Sequence, residues 1–274
     1  MPTPARTSAL RPLHPANLAK SRLRPPLVQQ VEIKVNDPLD HTAPAILHAP
    51  PESDTQKANG AAVVLISGAG GGTSGPGGIY PSLADKFAAL LGIPCVRLDY
   101  RRPARNTYCT PDVLASLDYL DRHFGSSRFV VVGWSFGGSP CFTVAAREPK
   151  RVAGVVTVAS QTADTDGILK LSPRPLLLLH GTGDTTLSPR CSHNLYRAYG
   201  DDPRGTRTLR LFEGDNHGLT RNATEAEQLI FEFAARVLGF SPDSEEAAEN
   251  LTGDTQQRVQ QMHEGHDLEN GERL

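Results

Sequence analysis

The stretch Phe129 to Gly138, FVVVGWSFGG, decides how the rest of the chain is read. Its first four residues are apolar with no polar alternate, the pattern of a strand buried on both faces of a parallel sheet. Glycines at 133, 137 and 138 then bracket Trp134, Ser135 and Phe136. Small residues on either side of Ser135 suit a sharp strand-to-helix turn. Larger side chains there would strike neighbouring elements, and the central residue is held in a strained conformation with its hydroxyl raised above the sheet edge. A helix through Ala146 is expected to follow.

Outward from this turn, short β-branched runs alternate with amphipathic helical stretches from about Val31 to Phe240. That alternation predicts an α/β fold with a mostly parallel central sheet and helices on both faces. Val31 to Val35 and Ala45 to His48 suit an opening antiparallel pair. Ala61 to Ile66, AAVVLI, is a buried strand that runs into a glycine-rich loop. Ile79, Leu83, Phe87, Leu90 and Leu91 share one face of a helix stopped by Gly92. A strand over Ile93 to Leu98 follows, with Thr110 and Pro111 as the cap and first turn of a second helix. Further strands are expected at Val152 to Ala159, Leu176 to Leu179 and Thr206 to Phe212. Ser188 and Pro189 open another helix, and Asn222 opens the last, its spacing to Glu225 resembling a capping box.

The 274 residues, 38% of them hydrophobic, suffice for one such domain over residues 31–240. Residues 1–30 carry Arg6, Arg11, Lys20, Arg22 and Arg24 and no acid, whereas residues 241–274 carry nine acids against Arg258 and Arg273. Both ends read as solvated, disordered tails. A net charge of -2 supplies no basic field for nucleic acid or an anionic membrane surface. No apolar run reaches the roughly 18 residues of a membrane span, and the N-terminus lacks the apolar core of a secretory signal. The basic start has some character of an organelle transit peptide, but six prolines from Pro2 to Pro26 would break the helix such a peptide forms. Cys95, Cys109, Cys141 and Cys191 form no CxxC pair and read as reduced thiols, so a cytoplasmic location is expected. The sequence sets no oligomeric state.

A serine hydroxyl is a weak nucleophile until a base takes its proton, so a reactive Ser135 requires a histidine and an acid from other strands. Two later loops offer them. The strand at Leu176 to Leu179 ends in HGTGD, residues 180–184, and the strand ending at Phe212 runs into EGDNHG, residues 213–218. Asp184 and His217 thus each lie one loop beyond a strand, in the order serine, acid, histidine. Spacings of 49 and 33 residues leave room for the intervening strand and helix units. Asp215 is the alternative acid, and Asp184 alone would also fit a turn cap. His180 comes before Asp184, the wrong order for the base, and is expected to pack or hydrogen-bond near the strand end.

A tetrahedral intermediate at Ser135 needs N–H donors, for which Phe136 and, in the loop Ser67 to Gly72, Ala69 are the candidates. Gly70 and Trp134 are candidate substrate contacts beside them. Arg101, Arg102 and Arg105, in the loop after Asp99, are either solvated or a site for an anionic acyl or leaving group. The glycine loop also carries a competing pattern. Gly70, Gly72 and Gly75 spell G-x-G-x-x-G after a strand, with Asp99 closing the next strand where a dinucleotide ribose would be held. Pro76, Gly77 and Gly78 stand where that fold starts its helix, and no phosphate-loop lysine pattern accompanies it.

GWSFGG, HGTGD and GDNHGL, on this order of elements, resemble the α/β-hydrolase superfamily, most nearly its small members without a large cap, such as the dienelactone-hydrolase-like group. The resemblance spans about Val31 to Phe240. It implies an α/β-hydrolase fold, a triad of Ser135, Asp184 and His217, an oxyanion hole from the Phe136 and Ala69 N–H groups, and no cofactor or metal. Dienelactone hydrolases proper carry cysteine as nucleophile. Ser135 therefore implies hydrolysis of a small to medium carboxylic ester or thioester through an acyl-enzyme. About sixteen residues separate Ala159 from Leu176, too few for a lid domain, so an open site is expected. Two other functions fit parts of the chain: a hydrolase-fold binding or scaffold module with vestigial catalysis, and a Rossmann-like nucleotide-cofactor protein.

Overall fold

The apolar runs become the strands of one eight-stranded sheet in a computed structural model that describes residues 26–39, 41–51, 59–102, 104–200 and 202–240. In chain order they are β1 (Leu27–Lys34), β2 (Thr42–Ala49), β3 (Ala61–Ile66), β4 (Cys95–Leu98), β5 (Arg128–Trp134), β6 (Val152–Val158), β7 (Leu176–Gly181) and β8 (Arg207–Phe212). Across the sheet the order is β1-β2-β4-β3-β5-β6-β7-β8. β2 pairs antiparallel with both β1 and β4, and every later pairing is parallel.

Parallel neighbours need crossovers, which α1 (Tyr80–Leu90), α2 (Asn106–Phe124), α3 (Gly138–Arg147) and α4 (Arg190–Ala198) supply, while α5 (Ala223–Leu238) follows the last strand. α1 and α5 pack together on one face, where the Phe87 and Phe231 rings lie 5.5 Å apart, and α2 packs with α3 on the other. Covered on both sides, Val130, Val131 and Val132 are fully buried, each worth about 1.5–3 kcal/mol of transfer free energy. β8 at the sheet edge alternates instead between half-buried and exposed residues up to Phe212. β6 and β7 are joined through a short 3-10 segment, Asp166–Lys170, with no cap domain between them. No helix among the described residues is long and apolar enough to cross a membrane.

Three expectations need correction. β1 begins at Leu27, inside the segment expected to be tail, because its residues pair in register with β2 from Leu27 opposite Ala49. The remainder of that segment, residues 1–25, and residues 241–274 lie outside the described residues. α2 begins at Asn106, so Thr110 is not its cap and Pro111 sits inside it. Contacts from elsewhere hold that first turn: Asn106 Nδ2 donates to Thr143 Oγ1 at 3.1 Å, and Arg101 donates to the Tyr108 carbonyl at 3.2 Å. Asn222 does stand at the start of α5, but no capping box forms. Its side chain turns to Asp215 at 2.7 Å, and Glu225 pairs with Arg210 at 2.8 Å.

Because β5 to β8 are parallel neighbours, their C-terminal ends share one edge. Ser135 follows β5, Asp184 follows β7 and His217 follows β8. All three loops therefore open on that edge.

Candidate active site

The turn after β5 is built by contact. Ser135 has φ 54, a left-handed conformation that costs a non-glycine residue on the order of 1–3 kcal/mol. Neighbouring glycines make room for it. A Cβ on Gly133 would strike the Gly137 carbonyl and come within 2.7 Å of Cys141 Sγ, and one on Gly137 would lie 2.5 Å from the Ser67 carbonyl oxygen. Residues Ser135–Gly137 form a 3-10 turn that leads directly into α3, whose first residue, Gly138, donates its N–H back to the Ser135 and Phe136 carbonyls.

From Ser135 a hydrogen-bonded path runs inward. Ser135 Oγ lies 2.9 Å from His217 Nε2, and His217 Nδ1 lies 2.7 Å from Asp184 Oδ2. Facing an ionised carboxylate, Nδ1 carries the proton, which leaves the Nε2 lone pair toward the serine hydroxyl. Asp184 Oδ1 accepts from the Thr186 and Leu187 N–H groups, both at 2.8 Å. The Asp184 side chain is fully buried, while that of His217 is 18% exposed. Its carboxylate is thus shielded from water, and the imidazole edge is open to a substrate.

Several groups fix the His217 loop. Trp134 donates its indole N–H to the His217 carbonyl at 3.1 Å, and the two rings lie 5.7 Å apart. Trp134 is buried, so it braces the histidine rather than lining an open substrate surface. Thr182 Oγ1 accepts from Gly214 N–H at 2.7 Å, joining the aspartate and histidine loops. Asp215, the alternative acid, is fully buried and turned away toward α5. Its Oδ1 accepts from the N–H groups of Asn216 and Arg221, and its Oδ2 from the backbone and side chain of Asn222. It organises the loop and does not face the imidazole Nδ1.

The glycine loop after β3 lies beside this turn, since Ile66 pairs with Gly133 across β3 and β5. Ala69 and Gly70 are exposed in it. Asp99 Oδ1 accepts from Gly72 N–H at 2.8 Å and Tyr100 N–H at 2.6 Å, and burial raises its carboxyl pKa against those two donors. Tyr100 donates to the Ser67 carbonyl at 2.8 Å and meets the Phe136 ring edge-on at 5.8 Å. Both candidate donor segments are therefore braced by one residue pair. The dinucleotide pattern fails here: α1 starts at Tyr80, beyond the third glycine, and Asp99 is spent on its own loop.

Arg101 is neither solvated nor placed to meet a substrate. Its side chain is 2% exposed, pairs with Asp37 Oδ2 at 2.8 Å and also grips Asp112 through Nε. Arg102 is exposed and stacks over the Tyr108 ring at 5.2 Å. The cysteines are free thiols; burial pushes the Cys109 pKa up to about 12 and raises those of Cys95, Cys141 and Cys191.

A parallel sheet with its reactive loops on one edge is the arrangement of an α/β hydrolase, and the chain belongs to the alpha/beta hydrolase fold family, whose model matches residues 61–212. Among solved structures, Est1E from Butyrivibrio proteoclasticus superposes with a TM-score of 0.64 at 15% identity, over 77% of this chain and 99% of that one. The putative hydrolase ATU1826 from Agrobacterium tumefaciens gives 0.62 at 19% identity, over 77% and 96%. XC6422 from Xanthomonas campestris, described as a serine hydrolase without lid, gives 0.55 at 14% identity, over 76% and 94%. A curated relative, the atrochrysone carboxylic acid synthase PKS4 of Calonarius odorifer, is 30% identical over 126 residues, 45% of this chain but only 7% of that protein.

Proposed function

We propose that the protein is a serine hydrolase that cleaves a carboxylic ester or thioester of a small to medium substrate through an acyl-enzyme. Ser135 Oγ attacks the carbonyl while His217 Nε2 takes its proton. Asp184 holds the imidazole in the required tautomer and stabilises the imidazolium. His217 then returns the proton to the leaving oxygen or sulfur, and a water activated by the same nitrogen releases the acid. The oxyanion is met by the N–H groups of Phe136 and Ala69, each such donor contributing on the order of a hundredfold to a thousandfold in kcat, with the positive end of α3 behind the first.

What carries this reading is the unbroken path of 2.9 and 2.7 Å contacts from Ser135 through His217 to Asp184, assembled from three separate strand ends. Its support also includes the esterases among the structural neighbours and the lack of a cap domain over that edge among the described residues. A panel of chromogenic esters and thioesters graded by acyl length tests it. The native protein is expected to turn over part of the panel, with at least about a thousandfold loss of kcat in Ser135→Ala. Equal turnover by that variant contradicts the reading.

A further inference from the structure

His180, near the end of β7, has a fully buried side chain lying against the same carboxylate that holds His217. Its Nε2 is 3.2 Å from Asp184 Oδ2 and 3.0 Å from the Leu187 carbonyl oxygen, and its Nδ1 is 2.7 Å from Ser192 Oγ on α4. The proton positions follow. A carbonyl oxygen only accepts, so Nε2 carries the hydrogen and Nδ1 receives the Ser192 hydroxyl. Asp184 Oδ2 is then shared between two histidines, His217 at 2.7 Å and His180 at 3.2 Å, while Oδ1 takes two backbone donors. Three hydrogen-bond donors thus hold the carboxylate, and the His180 N–H, donated to Leu187, lies within 3.2 Å of it as a fourth polar contact.

We propose that His180 is a positioning residue for the His217–Asp184 pair, locked by Leu187 and Ser192 as the neutral Nε2–H tautomer, which fixes the Asp184 carboxylate and draws part of its charge away from His217. The proposal rests on the serine-hydrolase reading. With the His180 N–H in place, Asp184 attracts an imidazolium at His217 less strongly, so the base stays neutral to lower pH and is available over a wider range. Burial lowers the His180 pKa below the ordinary 6.5, against the raising influence of the Leu187 carbonyl and Asp184. The other titratable group acting on it is His217, and Cys191 on α4, which Asp184 acts on in turn, has its thiol pKa raised by burial.

The pH profile of kcat/KM on a neutral ester provides the test, because its acid limb reports the base of the free enzyme. His180→Leu removes the donor and is expected to move that limb upward by about half a pH unit or more, whereas His180→Gln, which offers an amide N–H, keeps it near the native position. A limb unmoved in His180→Leu overturns the proposal, since a residue that merely ties β7 to α4 would lower kcat without shifting the profile. Should His180→Leu fail to fold, the histidine ring nitrogen spectrum of the native protein decides. A neutral Nε2–H ring is expected at about pH 7, and an imidazolium or an Nδ1–H ring there overturns the proposal. A native protein that hydrolyses no ester of the panel would instead sink the hydrolase reading, with the ring spectrum still deciding the state of His180.

Discussion

Two histidine–aspartate pairs in this molecule have the same length and opposite surroundings. His217 Nδ1 and His48 Nδ1 each lie 2.7 Å from a carboxylate oxygen, of Asp184 and Asp85 respectively. The far nitrogens differ. His217 Nε2 meets the Ser135 hydroxyl at 2.9 Å, on a side chain 18% exposed. His48 Nε2 accepts the Arg97 Nε–H at 2.9 Å, on a side chain 2% exposed. A guanidinium does not give up its proton, so the lone pair of His48 is committed and cannot serve as a base. Arg97 in turn donates to the Thr73 carbonyl at 3.1 Å, which makes the inner pair a brace for the glycine loop. A short histidine–aspartate contact is therefore no mark of a base by itself. What the second nitrogen faces, and whether a substrate can reach it, decides.

The largest expected effect separates the two pairs by chemistry. Asp184→Asn should lower kcat about ten-thousandfold in a folded protein, because the amide favours the wrong tautomer of His217. Asp85→Asn should leave kcat per folded molecule within about threefold and lower the unfolding free energy by about 1–3 kcal/mol, read from urea denaturation. Equal losses of kcat would break the comparison.

Arg101 extends the contrast between chemistry and bracing. Its guanidinium holds the Asp37 carboxyl below the usual range, whereas burial outweighs it at Asp112, whose pKa is raised to about 6. Arg101→Ala strands that buried carboxylate and should cost about 3–5 kcal/mol at neutral pH. A carboxyl with a raised folded pKa destabilises the fold above that pKa and is relieved as protonation neutralises it. Without Arg101 the Asp112 pKa rises further, so the loss in Arg101→Ala should shrink as pH falls from neutral toward about 6, where the native carboxyl itself takes up its proton. The ratio of kcat/KM on carboxylated and neutral esters should stay constant, and a selective loss on the carboxylated ester would restore an anion site there. Smaller again is Trp134→Phe, which keeps a ring but removes the donor to the His217 carbonyl. Its kcat/KM should fall by about two- to tenfold, and an unchanged value would show that the loop holds its histidine without that bond.

Much of this is legible in the sequence, for a physical reason. Strands covered on both faces read as continuous apolar runs, so β3, β5, β6 and β7 stand out, and the parallel arrangement then puts the loops after them on one edge. Ser135, Asp184 and His217 follow from that placement. The misread features are contacts closed only in the folded chain. Arg101 reaches Asp37, 64 residues away, and Asn222 turns back to Asp215 instead of capping its own helix. Pro111 is carried inside α2 because Asn106 is tied to Thr143 on α3. β1 is read only from Val31 onward because its earlier residues give no apolar run, and only pairing with β2 extends it back to Leu27. The sharing of Asp184 by His180 has one sequence trace, the spacing of four residues between them, which says nothing until the loop folds both onto one oxygen.

The proposed chemistry stands or falls on whether His217 makes Ser135 a reactive nucleophile. A fluorophosphonate reagent, which phosphonylates only an activated serine, tests it directly when the adduct is located by peptide mass spectrometry. A single adduct on Ser135 is expected, formed fast at neutral pH, strongly slowed in His217→Ala and absent in Ser135→Ala. Folded protein that takes no label, or label that persists in Ser135→Ala, would contradict it.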